Sequence, residues 1–154
     1  MSDQPTRVGL DVGFGDVKLV CLGEAQQTVT FPAALGRAEE FARGQRPSLG
    51  LGGRRRRLQT IEYNGNAYFV GEGVTIESRM GGTLQNAERI GSEEERVLML
   101  AALARAGIDD ALIVTGLPVL WWERRRDLVR SWMGEHQIIW NGKPRSISVR
   151  EVRP

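Results

Sequence analysis

The chain has 154 residues, which is long enough for one medium-sized domain with a buried core. Its content of 41% hydrophobic and 26% charged residues is typical of a globular protein and excludes disorder throughout. The net charge of +2 is weak support for nucleic-acid binding, because 19 acidic residues are interspersed among 21 basic ones. The polar N-terminus resembles neither a secretion signal nor a membrane anchor, and no apolar run approaches the roughly 20 residues of a membrane helix.

The single cysteine and the single histidine predict little chemistry. Cys21 lies in an apolar strand pattern, so we expect a buried structural thiol, no intrachain disulfide and a cytoplasmic protein. His136 is predicted to begin a strand. No carboxylates cluster beside either residue to complete a zinc site.

Segment 8–22 predicts a β-hairpin with a glycine-rich tip at residues 13–16. Two glycines two residues apart let successive backbone N–H groups face one anion, and a phosphate fits such a nest. Lys18 follows closely enough to reach the same oxygens, and Asp11 precedes the turn where a carboxylate could hold a hydrated magnesium ion. The alternative is a glycine-rich turn whose carboxylate only caps backbone amides. The predicted phosphate-binding residues are Asp11, Gly13, Phe14, Gly15, Asp16 and Lys18.

The next segments predict a strand followed by an irregular region. Residues 27–31 complete a three-stranded meander, residues 33–43 are expected to be helical or irregular, and residues 44–53 are expected to form a mobile loop. Residues 54–57 are four consecutive arginines. Because no aromatic residues interleave with them, a solvated or partner-facing loop is favoured over a nucleic-acid contact.

Residues 58–63 and 67–70 predict a second hairpin, joined by Asn64-Gly65 and followed by a short helix over 74–77. The clearest helix follows Ser92, which is placed to cap it, while Gly107 is placed to end it. The acidic residues 93–95 are explained by the electrostatics of a helix N-terminus and need no acid-base role.

The last third of the chain predicts a strand, a helix and a strand pair. Residues 111–114 form a continuous apolar run, which favours a strand covered on both faces, and residues 115–118 follow it where ligands bind in α/β folds. Residues 122–133 predict a helix with Trp121 and Trp122 packed at its start. Strands are expected over 137–140 and 145–152, joined by the turn Asn141-Gly142.

Four segments, in this order, resemble the first half of an actin-fold ATPase, from the superfamily of sugar kinases and DnaK-type chaperones. Residues 11–18, DVGFGDVK, match the first phosphate motif DxGxxxxK. Residues 31–37 resemble the step that leaves the first sheet of actin, and residues 68–73 and 114–118 resemble two of its strand ends. Within the superfamily, DVGFGDVK and VTGLPV are most similar to the ParM/StbA type of plasmid-segregation protein and its archaeal relatives.

This resemblance implies an α/β, ribonuclease H-like mixed sheet with flanking helices, representing the N-terminal domain only. Residues 1–31 and 83–154 would form the core subdomain, and residues 32–82 an inserted outer subdomain. The turn 13–16 would wrap the β- and γ-phosphates of ATP or GTP, with Lys18 paired to them and Asp11 facing magnesium through water. The implied partners are further copies in a filament and a DNA-bound adaptor protein, with no base-specific nucleic-acid binding and no membrane.

Two departures from the family pattern shape our expectations. Phe14 stands where actin-type enzymes often place a serine hydroxyl, so only its backbone N–H is available. The water-positioning glutamate or glutamine, the second phosphate motif and the adenosine-binding loop have no counterpart in residues 1–154. We therefore expect half a nucleotide cleft, with weak nucleotide binding and negligible hydrolysis.

Three hypotheses follow. The first is the N-terminal domain of a ParM-like ATPase. The second is a stand-alone interaction module with the same half-fold, which binds a filament or partner without catalysis. The third, a small nucleic-acid binder, ranks last because the basic residues are divided between a loop and helices.

Overall fold

The structure is a computed structural model of the chain, and it describes residues 4–23, 26–38, 59–72, 74 and 87–154. The loop predicted over 44–53, the arginine run 54–57 and most of the short helix predicted over 74–77 lie outside these residues.

The described residues form one mixed sheet of nine strands. In chain order the strands are β1 (Thr6–Val12), β2 (Asp16–Leu22), β3 (Thr28–Pro32), β4 (Leu35–Arg37), β5 (Gln59–Tyr63), β6 (Asn66–Val70), β7 (Asp110–Thr115), β8 (Gly134–Trp140) and β9 (Lys143–Arg153). Their spatial order is β3-β2-β1-β7-β9-β8-β5-β6-β4. The central strands β1, β7 and β9 are parallel, and all other pairings are antiparallel. The predicted α/β mixed sheet and its opening meander are confirmed.

Both predicted Asn-Gly turns are confirmed. Asn64 and Asn141 have φ values of 50° and 48°, and the glycine after each is also in the left-handed region. This backbone suits the right-handed twist of a tight hairpin. The turns join β5 to β6 and β8 to β9 and thereby fix the register of both hairpins.

One segment predicted to be helical or irregular contains a strand instead. Residues Leu35–Arg37 form β4, which pairs with β6 at the sheet edge. The N–H of Gly71 donates to the Ala34 carbonyl at 3.0 Å, and the Leu35 side chain is buried. Three residues are too few to show an alternating pattern, so tertiary pairing decides the structure here.

Helix α1 (Glu93–Ala106) has the predicted ends. The Ser92 hydroxyl accepts a hydrogen bond from the Glu95 N–H at 3.2 Å, and the Glu95 carboxylate accepts one from the Gly91 N–H at 3.1 Å. Gly107 ends the helix with φ of 72°. These bonds satisfy N–H groups that have no partner inside the helix.

Helix α2 (Arg125–Trp132) begins later than the predicted residue 122. A 3₁₀ turn, Val119–Arg124, precedes it, and the N–H of Trp121 donates to the Pro118 carbonyl at 2.9 Å. Met133 has extended backbone and ends the helix, so its side chain does not continue the apolar face. Within the described residues, no helix combines the length and the apolar composition needed to cross a bilayer.

The core lies on one face of the sheet, beneath α1 and α2. Helix α1 packs on β1, β2 and β3, while α2 packs on α1 and β9. The prediction that β7 is covered on both faces is wrong for the described residues. Ala111 and Ile113 are buried, but Val114 on the opposite face is 52% exposed, because both helices cover the same side. Cys21 is buried as predicted, and burial raises the pKa of its thiol.

Candidate functional site

A cleft of about 180 Å³ lies at the edge of the sheet where the parallel strands β1 and β7 end. Its walls come from segments 11–14, 89–90 and 115–118 and from Trp121. The predicted ligand position after β7 is therefore next to the glycine-rich tip of the β1–β2 hairpin. This is the edge at which open α/β sheets bind their ligands.

The hairpin tip at residues 13–16, which we call the glycine turn, is held by three hydrogen bonds to its backbone. The Gly13 N–H donates to the Asp16 carbonyl at 3.0 Å, the Gly15 carbonyl accepts from the Ala33 N–H at 2.8 Å, and the Gly13 carbonyl accepts from Arg89 Nη2 at 2.8 Å. The N–H groups of Phe14 and Gly15 have no hydrogen-bond acceptor within the described residues. The turn therefore presents donors without internal partners.

Close approach, not a positive φ, accounts for the glycine at position 13. Neither Gly13 nor Gly15 has a positive φ. A Cβ at Gly13 would lie 2.7 Å from the backbone oxygen of Asp16, whereas a Cβ at Gly15 would meet no atom within 4 Å. The turn therefore uses the small size of Gly13, while our sequence interpretation relied on glycine's conformational freedom.

The structure brings some of the predicted site residues together and leaves others at the rim. Asp11, Gly13 and Phe14 line the cleft. Lys18 is exposed and lies directly opposite Asp11 in the antiparallel β1–β2 pair, so the two side chains share one face of the hairpin. Gly15 and Asp16 are exposed at the tip and, of the described residues, are not among those lining the cleft.

Arg89 is a site residue that the sequence analysis missed. It is 5% exposed, its guanidinium lies 5.0 Å from the centroid of the Phe14 ring, and its buried Nε has no partner within the described residues. Burial lowers the pKa of Arg89, and the charges of Glu95 and Asp11 oppose that shift. No sequence signal marks it, because it ends a short 3₁₀ turn, Ala87–Arg89, before α1 and is 76 residues from Gly13.

Glu95 lines the same cleft and is 4% exposed. Burial raises the pKa of its carboxyl group, while the Gly91 N–H and the Arg89 charge oppose the shift. The interpretation of the acidic residues as helix-end charges therefore describes the cap correctly but misses the position of Glu95 in the cleft wall. Glu93 has a different role, since it accepts hydrogen bonds from Asn66 and Tyr68 at 2.9 Å and ties α1 to β6.

Trp121 completes the contact between the turn and the opposite wall. Its ring meets Phe14 edge-on, with centroids 5.7 Å apart and planes at 87°. This geometry is favourable for two aromatic rings. The predicted packing of Trp121 at the start of the helical segment is confirmed. Trp122 is 45% exposed, and the guanidinium of Arg125 lies 5.3 Å from its ring centroid.

Comparison with solved structures shows a shared fold. AlfA, from a B. subtilis plasmid, solved as a filament bound to AMPPNP, matches with a TM-score of 0.68 at 20% identity over 97% of this chain and 54% of its own. The archaeal actin homologue Ta0583, in complex with ADP, gives 0.65 at 20% identity over 96% and 42% of the two chains. Apo pSK41 ParM gives 0.69 at 16% identity over 96% and 48%. The chain thus spans about half the length of these proteins.

At these identities the structural likeness supports the fold alone. A comparison with curated proteins gave no match. A family model described as the N-terminal domain of actin-like proteins matches residues 9–154, which is nearly the whole sequence. The fold is shared with AlfA, ParM and the archaeal actin homologue. The chain therefore belongs to the family of actin-like protein N-terminal domains.

Proposed function

We propose that this chain is the nucleotide-binding N-terminal domain of a filament-forming, actin-like ATPase that segregates plasmid DNA. The observation that carries the proposal is the glycine turn at the edge of the cleft, whose Phe14 and Gly15 N–H groups lack acceptors within the described residues. Structural relatives solved with AMPPNP and with ADP support it.

In this proposal the nucleotide is ATP or GTP, and its phosphates accept hydrogen bonds from the N–H groups of the turn. Lys18, exposed on β2, pairs its ammonium group with the same phosphates. Asp11, opposite it on β1, holds magnesium through water, as an exposed carboxylate beside a phosphate site suits a hydrated Mg²⁺. When bound, the metal would neutralise part of the negative charge of the phosphates.

The cleft fits an anion with an apolar portion attached. The Arg89 guanidinium gives the floor a buried positive charge. Ile90, Leu117 and Trp121 line the apolar walls. A cleft of about 180 Å³ is below the roughly 300 to 1,000 Å³ of a complete small-molecule site. We therefore propose that this chain supplies one wall of the nucleotide site and that the rest of a longer protein supplies the other.

The division into subdomains and the assembly behaviour belong to the same proposal. Residues 1–31 and 83–154 would act as the core subdomain and 32–82 as the outer one. Among the described residues, the strands of the outer subdomain are β4, β5 and β6, and they join the core strands where β5 pairs with β8. The register of that pairing includes only Ile61–Trp140 and Glu62–Ile139. The filament structure of AlfA supports self-association, and a DNA-bound adaptor and a cytoplasmic location complete the proposal.

Isothermal calorimetry of Mg-ATP and Mg-GTP against wild type, Lys18→Ala and Lys143→Ala tests the proposal. Lys143 is the only other lysine of the chain and lies in the β8–β9 hairpin, so it controls for loss of charge alone. We expect Lys18→Ala to weaken binding by about tenfold, the usual value of a charge-assisted phosphate contact, and Lys143→Ala to bind like wild type. Absence of binding to wild type at millimolar nucleotide would contradict nucleotide binding, and light scattering on the same samples reports assembly.

A second candidate function is a non-catalytic interaction module with this half-fold. The observation that favours it is the 3₁₀ turn beside the cleft, where Val119 and Leu120 are 89% and 91% exposed. Adjacent apolar side chains at this exposure suit a protein contact. This function predicts assembly, measured by light scattering without nucleotide, that is lost in Leu120→Ser. Assembly that requires Mg-ATP and Lys18 would favour the ATPase domain instead.

A further inference from the structure

We infer that Arg89 is a positioning residue of the glycine turn, which orients the Gly13–Phe14 peptide so that its N–H is held for an anion. The inference rests on the proposed nucleotide binding and adds a residue to the site that the motif does not contain.

The first step is the geometry of one peptide unit. Arg89 Nη2 donates to the Gly13 carbonyl at 2.8 Å. A trans peptide is planar, and its C=O and N–H point in opposite directions. Fixing the Gly13 carbonyl toward the guanidinium therefore fixes the Phe14 N–H on the opposite side. This is one of the two N–H groups of the turn that lack an acceptor within the described residues.

The second step is that the guanidinium holds the side chain as well as the backbone. It lies 5.0 Å from the centroid of the Phe14 ring, and Trp121 meets the same ring from another direction. A cation over a ring and an edge-on aromatic contact each favour one ring position. Phe14 is still 46% exposed, so without these contacts its ring and the turn would have room to move.

The third step is the charge balance around Arg89. A buried guanidinium is costly unless it is paired. Glu95 and Asp11 act on Arg89 electrostatically, yet no carboxylate of the described residues forms an ion pair with it, and its Nε is without a partner there. The carboxylates therefore act on Arg89 only at longer range, and the hydrogen bond of its guanidinium within the described residues is the one to the Gly13 carbonyl, so the guanidinium is held at the turn.

Arg105 provides a matched control in the same chain. Its guanidinium lies 4.2 Å from the centroid of the Phe31 ring, and its Nε is also buried without a partner in the described part of the chain. Unlike Arg89, it forms an ion pair with Glu72 at 3.1 Å and does not line the cleft. Replacing either arginine by lysine keeps the charge and removes the planar guanidinium.

The experiment compares Arg89→Lys with Arg105→Lys by calorimetry with Mg-ATP and with inorganic tripolyphosphate, and by thermal unfolding without ligand. We expect both variants to lower Tm. Arg89→Lys alone should weaken binding of both ligands, by about tenfold, because the Nη2 donor that holds the Gly13 carbonyl is lost. Since lysine keeps the charge, a loss of affinity in Arg89→Lys would identify the position of the turn, and not the charge, as the cause.

Phe14→Leu is the second variant, because it removes the ring under the guanidinium without touching the buried arginine. It should weaken tripolyphosphate binding by about threefold to tenfold and keeps the test decisive if Arg89→Lys does not fold. If wild type binds, Lys18→Ala binds more weakly, and Phe14→Leu and any folded Arg89→Lys bind like wild type, the inference is wrong while nucleotide binding stands. If wild type binds neither ligand, the proposed function fails and the inference fails with it.

Discussion

Arg89 and Arg105 lie near opposite ends of helix α1, each over a phenylalanine ring, and they differ in what neutralises them. Arg105 forms an ion pair with Glu72, whereas Arg89 donates to a backbone carbonyl of the glycine turn and has its carboxylates at longer range. The ring distances are similar, 4.2 Å for Arg105 and 5.0 Å for Arg89.

The difference shows how an arginine that contributes only to stability, such as Arg105, can be told from one that we propose affects binding, such as Arg89. A buried arginine with a carboxylate in contact has its charge already matched, so its contribution is to stability. An arginine whose contact is a backbone carbonyl in a turn that lines the cleft influences the position of that turn. The following substitutions change one of the two regions while leaving the other intact.

The largest effect on stability is expected from Gly71→Ala in the Arg105 region. Gly71 has φ of 80°, and a Cβ there would lie 2.6 Å from Arg105 Nη2. The left-handed backbone alone costs an alanine about 1 to 3 kcal/mol, and the arginine must also move. Urea denaturation should show this loss of the free energy of unfolding. The nucleotide affinity of the folded fraction should match that of wild type. A tenfold loss of affinity would show that the Arg105 region and the Arg89 region are coupled.

The next effect is expected from Gly13→Ala in the Arg89 region. The added Cβ would lie 2.7 Å from the Asp16 backbone oxygen, so the turn must shift, at a cost of about 1 to 3 kcal/mol for overpacking. Calorimetry should show a loss of Mg-ATP affinity of at least about tenfold. Gly15→Ala is the control, because a Cβ there meets nothing within 4 Å. Equal affinities of the two variants would contradict the geometry of the turn.

The sequence predicted the features that depend on local chemistry. The cap by Ser92, the end at Gly107 and the two Asn-Gly turns are each set by a residue and its near neighbours, and all are confirmed. The sequence also predicted that residues 115–118 follow a strand where ligands bind in α/β folds, and the structure brings the glycine turn beside them. The nucleotide-binding roles of Asp11 and Lys18 stay a prediction.

The features that the sequence did not predict depend on contacts between distant residues. Strand β4 exists because β6 pairs with it, and Val114 is exposed because both helices cover the other face of β7. Arg89 reaches Gly13 across 76 residues, and nothing in its local sequence distinguishes it from a solvated arginine. Periodicity reports which side of an element is apolar, but not what lies opposite it.

A pH-dependent effect is expected at His136, which lies near Arg96 of α1. Arg96 lies 5.8 Å from the centroid of the Tyr63 ring, and Tyr63 hydrogen-bonds to His136 at 3.1 Å. Burial lowers the pKa of His136 below its ordinary 6.5, the Trp132 carbonyl opposes that shift, and Arg96 adds to it. The unfolded state therefore binds the proton more tightly, and stability is fully present above pH 6.5 and lost as the pH falls below it.

Urea denaturation between about pH 8 and pH 5 checks this expectation, with His136→Gln as the comparison. The free energy of unfolding of wild type should fall toward low pH relative to the variant, while Mg-ATP affinity shows no step of the same origin. A constant difference between the two proteins over this range would contradict a lowered pKa of His136. Comparison of the two measurements would show whether the region around Arg96 and His136 acts independently of the cleft.

The smallest effect is expected from Glu72→Gln, which removes the direct carboxylate partner of Arg105. Because Glu72 is 38% exposed, the ion pair is screened and should contribute about 0.2 to 1 kcal/mol to the free energy of unfolding. Thermal unfolding in low and high salt measures it, and the difference from wild type should shrink with salt. A loss above about 3 kcal/mol would contradict a screened pair and show that the Arg105 charge depends on Glu72 as a buried charge does.

The contact between Phe14 and Trp121 has an optical consequence. Trp121 is partly buried at the cleft wall and touches the turn edge-on, whereas Trp132 and Trp140 are buried in the core. Indole fluorescence depends on the polarity and the quenching groups around the ring. A variant that keeps Trp121 and replaces the other tryptophans with phenylalanine would therefore report movement of the turn through its own emission, on the timescale of mixing and without an attached dye.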